Sequence, residues 1–146
     1  MEQWHYIKTK EDINLLLYGN GYFHDSWITE VHYESGMLPN NAGKIPWDDA
    51  SVRKATIVFQ RDRNWPPSSV MLEFSGVMEF HINGWTDDDW IGEESLFIFN
   101  GNRIIWADVE GLEEEIKNIE DMEGARYNYI IADSLRWRVV EPKFRP

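Results

Sequence analysis

VMLEFSGVMEFHI, residues 70–82, carries the strongest periodic signal in this chain of 146 residues. Apolar and polar side chains alternate along it, which is typical of a β-strand with one face on a core and one face in water. Gly76 indicates a bend or bulge at which a long strand can curl around a core. We expect one register throughout, with an apolar face formed by Val70, Leu72, Phe74, Met78, Phe80 and Ile82.

The same alternation predicts strands on both sides of this stretch. Residues 27–34 place Trp27, Val31 and Tyr33 on one face, and residues 52–60 form the next strand after a long loop over 35–51. Asn100-Gly101 lies between two apolar runs and predicts a hairpin of 95–99 with 102–108 through a type I′ turn. Two last strands, 127–132 and 135–140, should meet near Asp133-Ser134.

Two short helices complete the predicted elements. Thr9 and Asp12 form an N-cap pattern, Ile13, Leu16 and Leu17 share one face, and the glycines at 19 and 21 end the helix. A second helix is expected within 110–123. About seven strands and two helices predict one α+β domain over residues 1–146, mainly antiparallel, as a sandwich or a curled sheet.

The amino-acid composition excludes several classes of function. The chain is 42% hydrophobic and 14% aromatic, so it should fold, and it has no cysteine, which excludes thiolate catalysis and zinc–thiolate sites. The first ten residues lack the apolar core of a signal peptide, and no apolar run could span a bilayer. We therefore expect a cytoplasmic protein that does not bind membranes.

The negative charge is concentrated in one part of the chain. The net charge is −12, and residues 79–123 contain 14 acidic and 2 basic side chains. Such a field repels nucleic-acid phosphates and attracts a basic protein surface. We expect no nucleic-acid binding.

The densest acidic stretch is NGWTDDDWIGEE, residues 83–94. It fails as a helix-loop-helix calcium loop, because Ile91 and Ile98 occupy two ligand positions. A solvated turn that protects a sheet edge is one interpretation. The other is a partner-binding surface in which tryptophans supply apolar anchors amid charge. This surface comprises Trp85, Asp87, Asp88, Asp89, Trp90, Glu93 and Glu94, with 113–115 as an extension.

Catalytic and ligand-binding alternatives stay open at this point. If their strands were neighbours, Glu30 and His32 with Glu79 and His81 could bind zinc or manganese, or act as acid and base. His24, Asp25 and Ser26 are the residue types of a hydrolase triad, but consecutive residues in an extended chain point to opposite faces.

Two further groups of side chains have simpler interpretations. Trp47 and Trp65 could serve a sugar- or ligand-binding domain. Arg136 and Arg138 flank Trp137 and are expected to pair internally with carboxylates rather than to bind nucleic acid.

Four short motifs together resemble a family of small, mostly uncharacterised bacterial proteins. They are GYFHDS at 21–26, YESG at 33–36, LEFSGV at 72–77 and SLRWR at 134–138. This family is similar in layout to the immunity proteins that accompany polymorphic secreted toxins. The resemblance implies a non-enzymatic inhibitor without cofactor or catalytic residues that occludes a toxin, and a basic nuclease toxin would suit so acidic a chain.

Overall fold

The computed structural model describes residues 3–82, 90–91, 95–108 and 128–146. In these residues one antiparallel sheet of eight strands is accompanied by an α-helix, α1 (Lys10–Gly19), and two 3₁₀ turns, Gly21–Phe23 and Ala50–Val52. No helix in these ranges is long and apolar enough to cross a membrane. The strands are β1 (His5–Ile7), β2 (Ser26–Glu34), β3 (Lys54–Gln60), β4 (Ser69–His81), β5 (Trp90–Ile91), β6 (Leu96–Asn100), β7 (Arg103–Ala107) and β8 (Tyr129–Val139).

The strand order confirms the predicted class, an antiparallel β-rich α+β fold with a curled sheet. The order is β5-β2-β3-β4-β8-β7-β6, and β1 pairs with β8 beyond the part of β8 that β7 occupies. The sheet bends back on itself, because Phe59 of β3 contacts Trp106 of β7 at a ring-centroid distance of 5.7 Å although two strands lie between them. It stays open, with β5 at one end and β6 at the other.

The main core fills the inside of this bend. Helix α1 contributes Ile13 and Leu16, which are buried against the sheet, and the predicted N-cap is confirmed by a capping box between Thr9 and Asp12. A smaller cluster on the opposite face of β7 and β8 is formed by Ile105, Ala107, Tyr129 and Ile131. The main core on the sheet consists of Ile7, Ala55, Ile57, Phe59, Val70, Leu72, Phe74, Val77, Phe97, Ile104, Trp106, Ile130, Ala132 and Leu135.

The prediction of one unbroken register along β4 is wrong at its centre. Val77 is buried in the core, whereas Met78, which was expected there, is 42% exposed. Gly76 has a φ of 69° and shifts the alternation by one residue, and a second irregularity between Val77 and Glu79 shifts it back. The two shifts cancel, so that Phe80 packs against the core as predicted.

The predicted face of β2 needs a similar correction. A bulge between Ile28 and Glu30 puts Ile28 opposite Phe59 of the core face, with Val31 opposite Ile57. Trp27 therefore lies on the other face of the sheet from Val31 and Tyr33. A bulge adds one residue to one strand, and a one-residue slip exchanges the faces.

The hairpin is confirmed, but its turn differs from the prediction. Asn100 pairs with Arg103, so the two loop residues are Gly101 and Asn102, and only Gly101 has a positive φ, 62°. This is the pattern of a type II′ turn, with glycine first, rather than type I′.

The last two predicted strands form one continuous strand. Residues on both sides of Asp133-Ser134 belong to β8 and pair with β4. The second predicted helix, within 110–123, lies outside the described residues.

Candidate protein-interaction site

We use the name acidic segment for residues 83–94, of which the structure describes only residues 90 and 91. Six of the seven residues predicted to bind a partner, Trp85, Asp87, Asp88, Asp89, Glu93 and Glu94, lie outside the described residues, and of Trp90 the structure describes only the backbone. Trp90 and Ile91 pair with Trp27 and Ser26, so β5 adds to the outer edge of β2.

A second attachment follows directly after Glu94. The backbone N–H of Ser95 donates to the carbonyl of Tyr22 at 3.1 Å. The Ser95 hydroxyl accepts a hydrogen bond of 3.2 Å from the indole N–H of the buried Trp106. Ile91 and Ser95 therefore both lie beside the chain that runs from Tyr22 to Ser26.

That neighbouring chain is a left-handed turn. Gly21, Tyr22 and Phe23 have φ values of 59°, 58° and 60°, and Asp25 has 55°. Hydrogen bonds from Phe23 N to Asn20 O and from His24 N to Gly21 O close the turn. A non-glycine residue in this conformation costs about 1–2 kcal/mol, and such residues usually occur singly. Consecutive ones are therefore held by their surroundings and are a reason to look for function.

The hydrophobic core stabilises one side of this turn. Phe23 is buried, and its ring contacts those of Phe59 and Phe97 at centroid distances of 4.9 Å and 6.0 Å. The hydroxyl of Ser26 donates to the carbonyl of Phe23 at 2.5 Å. Burial of an aromatic ring contributes about 1.5–3 kcal/mol, which offsets the local strain.

Arg61 holds the other side of the turn. A Cβ atom on Gly21 would lie 2.3 Å from its Nη1 atom, so glycine is needed both for its φ and for this close approach. The guanidinium donates from Nε to the carbonyl of Pro67 at 3.1 Å, and its burial lowers the pKa of Arg61. Tyr22 is thus fixed in place with its side chain pointing outwards.

An apolar stripe leads along α1 to this turn. We use the name outer stripe for Leu15, Tyr18 and Tyr22, which are 68%, 78% and 44% exposed. At 100° per residue, Leu15 and Tyr18 project from the side of α1 opposite to Ile13 and Leu16. The solvent-facing side of a surface helix is normally polar, so Leu15 and Tyr18 on that side, with Tyr22 exposed in the turn that follows, indicate an interaction surface.

Sequence reasoning missed the outer stripe, although a signal was present. The i, i+3 spacing of Leu15 and Tyr18 is helical, but the stronger set Ile13 and Leu16 accounted for the core face. The position of Tyr22 could not be inferred, because no rule predicts a left-handed turn at a tyrosine.

The residues proposed as a catalytic triad do not converge. Ser26 is buried and bonded to the Phe23 carbonyl, whereas His24 and Asp25 pair with each other at the surface, with Nδ1 and Oδ2 3.0 Å apart.

The two histidine strands are not neighbours, because β3 lies between β2 and β4. His32 pairs with Glu34 on its own strand at 3.1 Å, and Glu79 accepts a 3.0 Å hydrogen bond from the hydroxyl of Tyr129. His32 lies opposite Thr56 and Thr56 opposite Glu73, so His32 is level with Glu73 and not with Glu79 or His81. Within the described parts of the chain, no three His, Asp or Glu side chains are grouped as metal ligands would be.

The two loop tryptophans are exposed and lie in different loops. Trp47 is in the loop before β3 and Trp65 in the loop after it.

Internal pairing is confirmed for one of the two arginines. Arg136 donates from Nε to Glu73 at 2.9 Å and stacks on Trp4, 4.0 Å from the ring centroid. Burial alone would lower the pKa of Arg136, but hydrogen bonds to Tyr6 and Glu73 raise it overall. Arg138 instead stacks on the Trp4 ring at 4.6 Å.

Comparisons of the chain with protein-family models, with curated proteins and with solved structures gave no match.

Proposed function

We propose that this chain is a non-enzymatic protein-binding module, specifically an immunity protein that covers the functional surface of a basic toxin. The observation that carries the proposal is the attachment of the acidic segment to the strained turn. Its two described anchors are the pairing of β5 with Ser26 and Trp27 and the hydrogen bond from Ser95 to Tyr22.

These anchors support the proposal because they place β5 and Ser95, which adjoin the acidic residues in the sequence, beside the left-handed turn. Acidic residues precede and follow β5 in the sequence, the left-handed turn lies beside it, and the outer stripe ends at that turn. Aromatic anchors surrounded by charge are typical of interaction sites that combine fast association with tight binding.

The negative charge of this chain indicates a basic partner. With a net charge of −12, the protein speeds association with a cationic surface and disfavours acidic partners. A nuclease toxin needs cationic groups to hold phosphates, so a partner of that kind would find complementary charge here.

The test is binding to a toxin domain encoded beside the gene for this chain, followed by stopped-flow mixing at low and high salt. Association should slow as salt rises, because screening weakens steering between exposed charges. Co-expression should also protect cells from the toxin. A wild-type chain that neither binds nor protects would refute the proposal.

Two matched variants distinguish the contribution of the acidic segment to the association rate from that of the net charge. Changing Asp87, Asp88 and Asp89 to Lys should slow association by about tenfold or more. Changing Asp48, Asp62 and Glu141 to Lys alters the net charge equally but lies in other parts of the chain, and should have a much smaller effect. Equal effects of the two triple variants would contradict the assignment of the segment.

A further inference from the structure

Arg138 carries a positive charge that no acidic side chain among the described residues neutralises. The register of β4 against β8 places Arg136 opposite Glu73 but Arg138 opposite Met71. Glu73 forms an ion pair with Arg136, with Oε1 2.7 Å from Nη2, whereas the thioether of Met71 carries no charge. Cross-strand pairing with an acid therefore serves only one of these two arginines.

The side chain of Arg138 is nevertheless held in place. Its guanidinium carbon lies 4.6 Å from the centroid of the Trp4 ring, which also stacks with the guanidinium of Arg136 at 4.0 Å. The Nε atom of Arg138 is buried and has no hydrogen-bond acceptor in the part of the chain that the structure describes. A buried donor without an acceptor is unfavourable, so such a group is a reason to look for a bound ion or ligand.

A groove adjoins this guanidinium. Arg138 lines a groove of about 530 Å³ between the loop after β3 and the chain that follows β8. This volume is typical of sites that bind small organic molecules. Glu141 also lines the groove, but its carboxylate forms no ion pair with Arg138 in the described structure. The apolar walls consist of Pro66, Pro67, Val139, Val140 and Pro142.

We infer that this groove binds a small organic anion, with its carboxylate or phosphate group on Arg138 and its apolar body on the prolines and valines. A guanidinium presents its N–H donors in a planar fork that matches either oxyanion. Contact with Trp4 restricts this fork before binding, so less side-chain entropy is lost when the ligand binds. The inference goes beyond the proposed function and does not depend on it, since neither the acidic segment nor the outer stripe lines the groove.

The net charge of the protein opposes anions in general but leaves this local preference intact. A net charge of −12 lowers the affinity of all anions together. At about 0.15 M salt the Debye length is about 8 Å, so distant charges are screened while a direct contact with Arg138 is not. Affinities should therefore be compared between ligands and between variants at that salt concentration.

The experiment titrates the full chain with two anions and a neutral counterpart. Benzoate and phenyl phosphate carry the two head groups on the same ring, and benzamide has that ring without a charge. The NMR signals of the Arg138 Nε–H and of the backbone amides of Ser68 and Val139 should shift saturably with at least one anion. Benzamide should bind about tenfold more weakly or less. The anion that binds more tightly identifies the head group.

Matched variants separate Arg138 from general electrostatics. Arg138→Gln should weaken binding of that anion by about tenfold or more, because the charge and the paired donors are lost. Arg63→Gln removes the same charge from an exposed side chain of the neighbouring loop and should change the affinity by less than about twofold. Trp4→Leu keeps Arg138 but removes the ring that restricts it, and should weaken binding about two- to fivefold. Circular dichroism verifies that each variant is folded.

Three results would overturn the inference. They are the absence of saturable binding of either anion to the wild type, binding of benzamide as tight as that of the anions, and equal losses in Arg138→Gln and Arg63→Gln. The first two need no variant, so an Arg138→Gln chain that fails to fold leaves the test intact. None of these results bears on the proposed function, which is tested by binding to the toxin domain.

Discussion

Two left-handed glycines make a matched pair that measures how tightly β4 and β8 are held together. Gly76 has a φ of 69° and Gly43 a φ of 78°, so alanine is strained at both positions. Their surroundings differ. A Cβ atom on Gly43 would meet nothing within 4 Å, whereas one on Gly76 would lie 2.8 Å from Cβ of Asp133 and 2.4 Å from its Oδ2.

The expected cost of each substitution follows from these contacts. The left-handed conformation costs alanine about 1–2 kcal/mol, and the reduced entropy of the unfolded chain returns about 0.4–1 kcal/mol. Gly43→Ala should therefore destabilise the fold by about 1 kcal/mol. In Gly76→Ala the Asp133 carboxylate can rotate away, but its Cβ is fixed to the backbone of β8. Strand displacement of this kind costs about 1–3 kcal/mol more.

Backbone contacts leave Gly76 little room to move instead. Its N–H donates to the carbonyl of Arg53 at 2.9 Å, so a shift away from Asp133 breaks a bond to the residue before β3. The total for Gly76→Ala is then about 2–4 kcal/mol.

Urea unfolding followed by tryptophan fluorescence measures both variants. With slopes of about 1–3 kcal/mol/M, a difference of about 1–3 kcal/mol puts the midpoint of Gly76→Ala about 0.3–3 M below that of Gly43→Ala. Asp133→Gly in the Gly76→Ala background removes the clashing Cβ and should recover about 1–3 kcal/mol as a coupling energy. Equal stabilities of Gly76→Ala and Gly43→Ala would show that the close approach of the two strands was described wrongly.

Three further outcomes are expected. Phe23→Ala should destabilise the fold by about 3–5 kcal/mol, because the ring loses its contacts with Phe59 and Phe97. Phe144→Ala is the control and should cost little, since that ring is exposed. Equal urea midpoints of the two variants would contradict the anchoring of the turn in the core. The carboxylate of Asp12 accepts hydrogen bonds from the N–H of Lys8 and from Thr9, and these bonds lower its pKa. The ionised carboxylate therefore stabilises the fold fully above its ordinary pKa, and this stabilisation is lost as the pH falls through the lowered pKa. The melting temperature of the wild type should exceed that of Asp12→Asn at neutral pH, and the difference should shrink as the pH falls below the ordinary pKa of the carboxyl group. A difference that does not change with pH would oppose this assignment. Glu73→Gln should lower the free energy of unfolding by about 1–3 kcal/mol, because it leaves the half-buried Arg136 without its carboxylate. A double-mutant cycle with Arg136→Met should show coupling between the two positions. Independent effects would mean that the ion pair does not contribute to stability.

Local patterns were sufficient for most of the described elements. The capping signal at Thr9 and Asp12, the alternation over 70–82 and the Asn-Gly pair each act through neighbouring residues, so the sequence alone predicts α1, β4 and the hairpin. They also predict the class of the fold, because hairpin-type connections favour antiparallel pairing.

What the sequence could not determine depends on contacts between distant residues. Whether Val77 or Met78 enters the core is decided by the bulges where β4 meets β3 and β8, and one added residue reverses the faces without leaving a signal in the composition. Strand order likewise separated His32 from His81, which no spacing along the chain could show.

The candidate site divides in the same way. Its acidity and its tryptophans are properties of residues 83–94 and can be read from the sequence. That Ser95, which follows this segment, bonds to Tyr22 beside an exposed apolar stripe is a result of tertiary structure, because Phe23, Ser95 and Trp106 stabilise a left-handed turn that the chain by itself would disfavour.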